Sequence, residues 1–143
     1  MSPVARSLYA SVAAGSLVGA TLRAAVSMIM IGFSGTGFPF ATLAVNIVGS
    51  FLIGFYAALT GPEGRILASP AQRQFVMTGF CGGFTTFSAF SLETLTLLKD
   101  GKSVLAGANI VASLVLWLIA VWLGHAAATR FNRLKGGSPH ANA

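Results

Sequence analysis

Apolar residues run almost unbroken through four stretches of this chain, and charges and turn-forming residues fall between them. The stretches cover residues 7–30, 40–59, 74–98 and 103–129. About 20 residues at a rise of about 1.5 Å cross a hydrocarbon core of about 30 Å, so the pattern predicts four transmembrane helices and an all-α integral membrane protein. The connections differ in character. Residues 32–39 form an uncharged glycine-rich turn, 61–70 carry Glu63 and Arg65, and 99–102 form a tight polar turn. Loops this short make neighbouring helices antiparallel. The first stretch is too long for the apolar segment of a signal peptide, and three more spans follow it. Residues 1–134 therefore read as one membrane domain, and the polar residues 135–143 as a disordered tail.

The third stretch departs from the pattern. Residues 79–90 read G-F-C-G-G-F-T-T-F-S-A-F, and the glycine pair Gly82 and Gly83, followed by Thr85, Thr86 and Ser88, predicts a helix broken near its middle. Hydrocarbon satisfies none of the carbonyls that such a break releases, so they must face protein, water or an ion. Broken helices in membranes commonly mark ion sites.

Composition agrees with the spans and excludes several functions. Hydrophobic residues make up 55% of the chain and charged residues 8%, against about a quarter charged in soluble domains. Mean hydropathy is +0.78. The net charge of +6 comes from nine basic residues scattered over ends and loops, which argues against a nucleic-acid surface. Arg6, Arg65, Arg73, Arg130, Arg133 and Lys135 fall on the side of both termini, whereas Lys99 and Lys102 fall on the other; the positive-inside rule favours cytoplasmic termini. The single cysteine, Cys81, has no His or Cys at metal-ligand spacing and reads as a small packing residue. His125 and His140 have no carboxylate or nucleophile nearby, so enzyme chemistry is not expected.

Polar residues inside the spans are costly unless they face protein or water. Gly15 with Gly19, and Asn46, Ser50 and Gly54 at i, i+4 and i+8, read first as close helix contacts. Asn46 offers two donors and an acceptor, for interhelical glue or for a ligand. Asn109 and Ser113 form a second polar strip, for which glue is the plain reading. Glu93 is the one acidic residue in the body of a span. Phe87 and Phe90, three apart after the break, either pack or present positive ring edges to an anion, with Thr86, Ser88 and Asn46 as donors nearby.

Residues 14–23 (A-G-S-L-V-G-A-T-L-R), 42–50 (T-L-A-V-N-I-V-G-S) and 79–93 (G-F-C-G-G-F-T-T-F-S-A-F-S-L-E) together resemble the CrcB, or Fluc, family of fluoride channels. The third motif is highly specific, and the resemblance covers nearly the whole chain. It implies an antiparallel dimer of four-helix subunits in the cell membrane (the inner membrane of a Gram-negative cell), with two passive fluoride pathways along the subunit interface and no ATP or enzyme chemistry. It places Asn46, Phe87 and Phe90 in the pore, with Thr86, Ser88 and Ser113 as a polar track and Arg23 and Glu93 near the pathway's ends. It also implies a structural, untransported sodium ion held by the carbonyls of Gly82 and Thr85 of both subunits. Asn109 departs from relatives that carry a tyrosine near the pore. The charge bias means that insertion is dual and the dimer a homodimer, or that an oppositely biased sister chain completes it. The rival readings are a small four-helix cation or drug exporter, for which Glu93 is the sole candidate carboxylate, and a non-conducting scaffold subunit in which Asn46, Phe87 and Phe90 merely pack.

Overall fold

The computed structural model describes residues 2–30 and 37–134 of the chain. The described residues form helices and no strand: α1 (Pro3–Met30), α2 (Phe40–Leu59), α3 (Pro70–Arg73), a π-helical segment (Gln74–Cys81), α4 (Gly82–Phe84), α5 (Phe87–Lys99) and α6 (Ser103–Leu134). The pieces from Pro70 to Lys99 make up one span, so four helices are long and apolar enough to cross a membrane. The chain is a multi-pass membrane protein. The tail at 135–143, His140 and most of the turn at 32–39 lie outside the described residues.

Three helix ends differ from the hydrophobic pattern, and each has a local cause. α1 begins before residue 7 because Ser2 caps it, accepting from Ala5 N–H at 3.2 Å, with Pro3 at the first helical position. The third span begins at Pro70 because Ser69 and Gln72 form a reciprocal capping box: the Ser69 hydroxyl accepts from Gln72 N–H at 3.2 Å, and Gln72 Oε1 accepts from Ser69 N–H at 2.8 Å. α6 continues to Leu134 and carries Arg130 and Arg133 beyond the apolar stretch. At the opposite end, Gly101 at φ +73 closes α5: its N–H donates to Leu98 O at 3.1 Å, and Lys102 N–H donates to Leu97 O at 2.8 Å.

Many large side chains point outward, and several of the buried positions are small. Leu17, Leu118 and Trp122 are about two-thirds exposed on the chain's surface, whereas Ala106, Ala120 and Ala128 are buried. Lipid tails are as apolar as leucine, so helices in a bilayer gain little by hiding leucine and more by close backbone approach. α2 packs along α6, and α1 along the π segment and α4. Both seams depend on glycine. A Cβ at Gly19 would lie 2.3 Å from the Phe80 carbonyl oxygen, and one at Gly124 would lie 2.1 Å from that of Phe51. Cys81 is buried and unpaired, the small packing residue that its surroundings suggest.

Several hydroxyls are satisfied by a carbonyl one turn back. Those of Thr21, Thr85, Ser91, Thr96 and Thr129 donate to the carbonyl four residues back, at 2.8 to 2.9 Å. This lets polar residues occupy a span without an external partner.

Gly19→Ala and Gly124→Ala are expected to destabilise the fold by about 1–3 kcal/mol each through overpacking. Gly107→Ala is the control, since an added Cβ there meets nothing within 4 Å. Thermal unfolding in detergent should give lower midpoints for the first two and none for the third; equal midpoints would contradict the packing.

Candidate functional site

The site is organised by what happens to the backbone between α4 and α5. Thr85 N–H still donates to Cys81 O at 2.9 Å, closing the last turn of α4. Thr85 and Thr86 then take extended dihedrals, φ −86, ψ 160 and φ −152, ψ 120. Two extended residues in mid-span cost the helix its i to i+4 ladder, and the local side chains take over. Thr86 Oγ1 caps α5 by accepting from Ala89 N–H at 3.1 Å. Asn46, 4% exposed on α2, holds the backbone of Thr86 at two points: its Oδ1 accepts from Thr86 N–H at 2.7 Å and its Nδ2 donates to Thr86 O at 3.0 Å.

These substitutions release particular carbonyls. The amide that would close a helical turn on Gly82 O is that of Thr86, which donates to Asn46 instead. The amide four residues beyond Thr85 is that of Ala89, which donates to Thr86 Oγ1. Gly83 O is met by Arg23 Nε at 3.2 Å. Arg23 thus sits against the interruption itself. The glycine pair is not where the backbone opens, contrary to the sequence expectation: Gly82 and Gly83 belong to α4, with Gly82 at φ −65, ψ −36. Gly83 is needed for contact, because a Cβ there would lie 2.6 Å from Ser16 O, whereas a Cβ at Gly82 meets nothing within 4 Å. The extended residues are threonines because β-branched side chains suit extended backbone.

A hollow of about 440 Å³ opens beside this segment, and Asn46, Gly82, Thr85, Thr86, Phe87 and Trp117 contribute to its lining. Phe87 and Phe90 are ring neighbours, with centroids 5.5 Å apart and planes at 46°, but their surroundings differ. Phe87 is 69% exposed on the single chain and Phe90 is 7% exposed. Phe90 makes an edge-to-face contact with Trp117 at 5.1 Å and 72°. Ser88 lies with its hydroxyl 3.2 Å from that of Thr86.

The other candidates form two side branches. Thr42, one turn before Asn46 on α2, donates through its hydroxyl to Glu93 Oε1 at 2.6 Å; Glu93 Oε2 is buried without a hydrogen-bond partner among the described residues. Ser113 and Asn109, both 1% exposed, lie with Oγ and Oδ1 3.4 Å apart. Asn109 Nδ2 donates to Thr94 Oγ1 at 2.9 Å, and Thr94 Oγ1 donates to Phe90 O at 2.7 Å. Thr42 and Thr94 are the residues that sequence reasoning passed over. Their signal is spacing, since each stands four residues from a singled-out residue, Asn46 or Phe90, on the same helix face.

Comparison with known proteins shows the family. The family model described as "CrcB-like protein, Camphor Resistance (CrcB)" matches residues 10–125. The "Fluoride-specific ion channel FluC 1" of Rhodopseudomonas palustris is 59% identical over 129 residues, covering 90% of this chain and 92% of that protein. The "Fluoride-specific ion channel FluC" of Opitutus terrae is 57% identical over 130 residues, covering 91% and 98%. That of Paramagnetospirillum magneticum is 53% identical over 125 residues, covering 87% and 98%. The chain belongs to the CrcB-like family.

Asn46→Leu removes both partners of the Thr86 backbone and is expected to destabilise the protein by about 2 kcal/mol, the cost of stranding buried backbone polar groups. Hydrogen exchange is the direct measurement. The Thr86 amide should exchange much faster in the variant while amides within α2 keep their protection; an unchanged Thr86 rate would show that Asn46 does not hold it.

Proposed function

We propose that the chain is a fluoride-specific ion channel that passively lowers cytoplasmic fluoride. The observation that carries this reading is the Asn46 clamp on an extended Thr86, which fixes Phe87, Thr86 and their donors beside one hollow in mid-span. Family membership and the names of the relatives agree with it. Fluoride is small and strongly hydrated, so a pathway must replace its water with several short contacts. Aromatic ring edges, hydroxyls and an amide supply them without a competing full positive charge. Asn46, Phe87, Phe90, Thr86, Ser88 and Ser113 are the pore residues of this reading, with Arg23 and Glu93 flanking them. In an acidic medium HF crosses the membrane and ionises inside, and the membrane potential then expels fluoride through a passive path.

The functional unit is an antiparallel dimer, formed by two copies of this chain or with an oppositely inserted sister chain. Two features support it: Phe87 is left exposed by its own subunit, and Gly82 faces open space. The released carbonyls of Gly82 and Thr85 fit a small hard cation, because oxygen donors with no helical N–H are what such an ion needs. These two carbonyls, with their counterparts in the partner, would hold a structural sodium ion, which supplies positive charge where the break leaves carbonyl dipoles unpaired. The location that follows is the cell membrane, the inner one in a Gram-negative cell. The exporter reading has less support: its sole candidate carboxylate, Glu93, already accepts from Thr42.

Liposomes containing only this purified chain should release fluoride but not chloride when a potassium ionophore is added. Phe87→Ile and Phe90→Ile should slow that release by about ten-fold with the dimer intact by cross-linking, the effect of about 1.4 kcal/mol of lost ring interaction. Equal chloride release would defeat the selectivity, and wild-type flux in both variants would return the rings to packing. Absence of fluoride release would mean that the reading fails or that a sister chain is required; co-reconstitution with an oppositely oriented relative separates these.

Replacing sodium by a bulky organic cation should lower fluoride flux or dimer stability, by linkage to the bound ion. Gly82→Val should act in the same direction by blocking the partner's approach, since its own subunit has room for the side chain. If thorough sodium removal changes neither flux nor dimerisation, the carbonyls are satisfied otherwise and no sodium is held.

A further inference from the structure

Trp117 stands out among the buried polar groups of the spans. Its Nε1 is buried and has no hydrogen-bond partner among the described residues. Asn109 and Ser113 lie eight and four residues before it on α6, so the three share one face of the helix. The first two already have partners in the Thr94 branch. Trp117 carries the strip one turn further, to the wall of the hollow that Asn46, Thr86 and Phe87 also line. Its ring is held there by the edge-to-face contact with Phe90. Trp122, the other tryptophan of the helix, is 66% exposed and reaches its surroundings freely.

An indole N–H is a donor only, so the partner it lacks is an acceptor. A donor left unpaired in a water-poor bundle is costly, and it persists where something else completes it. We propose that Trp117 Nε1–H donates a hydrogen bond to the permeating anion as it passes Phe87 at the hollow, and so favours fluoride, the stronger acceptor, over chloride. The inference rests on the channel reading and adds to it a pore-lining indole. Positioned by Phe90, the indole supplies a neutral donor on α6, in a hollow that Asn46 of α2 also lines. A partner-subunit carbonyl and a bound water are the competing acceptors.

The test uses the full-length protein in lipid nanodiscs and liposomes. In a Trp122→Phe background, which removes only an outward-facing indole, the one remaining indole N–H resonance belongs to Trp117. Fluoride should move it downfield and saturably, and chloride at the same concentration should not. Trp117→Phe keeps a ring against Phe90 but removes the donor, and is expected to slow fluoride flux about ten-fold, the scale of one hydrogen bond to a charged group. Both results together support the assignment. A resonance indifferent to fluoride means that a carbonyl or water holds the proton and overturns it, whether or not flux falls; a shift with unchanged flux overturns it too. In either case normal wild-type flux leaves the channel reading standing, whereas a wild type that passes no fluoride, alone or with a sister chain, removes that reading instead.

Discussion

Every backbone N–H and C=O inside a bilayer needs a partner within the protein, and the fold follows from how this chain meets that demand at the one place where a helix does not. At Thr85 and Thr86 the ladder is interrupted, and one asparagine from another helix replaces it with two bonds to a single residue. An amide side chain is suited to this because it presents a donor and an acceptor side by side, as a strand neighbour would. The Thr86 hydroxyl then restarts the helix. What the clamp does not satisfy becomes available to others: Gly83 O to Arg23, and Gly82 O and Thr85 O to an ion in the proposed pair.

A clamp reaching between spans requires helices that approach closely and stay in register. The small-residue seams provide that, since α1 contacts the π segment and α4 through Gly15, Gly19 and Gly83, while α2 and α6 meet at Gly54 and Gly124. A Cβ at any of these points would lie 2.1 to 2.6 Å from a facing backbone oxygen, so a larger residue forces the helices to shift. Where α2 meets the Thr86 segment itself the close approach is at Gly49, since a Cβ there would lie 2.2 Å from Thr85 Cγ2. Large apolar residues cover much of the outside instead, where lipid tails are as apolar as they are.

Much of this was legible in the sequence, and the illegible part has identifiable causes. Four spans follow from hydropathy, and the interruption announces itself through clustered glycine, threonine and serine. Hydropathy does not see capping, so it misses the start at Pro70, although S-P-A-Q spells the capping box. The run from Gly82 to Ser88 marks the break but not which of its residues open, and glycine is the permissive choice. The structure keeps both glycines helical, one for contact with Ser16, and extends the threonines beyond them. Asn46 was singled out as a polar residue in a span, but no spacing within one helix reveals that its partner is the backbone of Thr86, forty residues away. The π-helical turns at Gln74–Cys81 carry no sequence signal of which we have a physical account.

The two phenylalanines, neighbours in one helix, have very different surroundings. Phe90 packs its ring on Trp117, and the Asn109, Thr94 branch ends on its backbone carbonyl. Phe87 leans on Phe90 but turns most of its surface outward, beside Gly82, where its own chain leaves room. A packed ring next to a free one, at the edge of a hollow, is an incomplete wall in a monomer. In the proposed antiparallel pair, the free ring and the open glycine of each subunit meet the partner, and the same approach brings the released carbonyls together. The proposed pore and the proposed cation site would then share one physical origin, the interruption that Asn46 holds. A change at the clamp should therefore be felt by both.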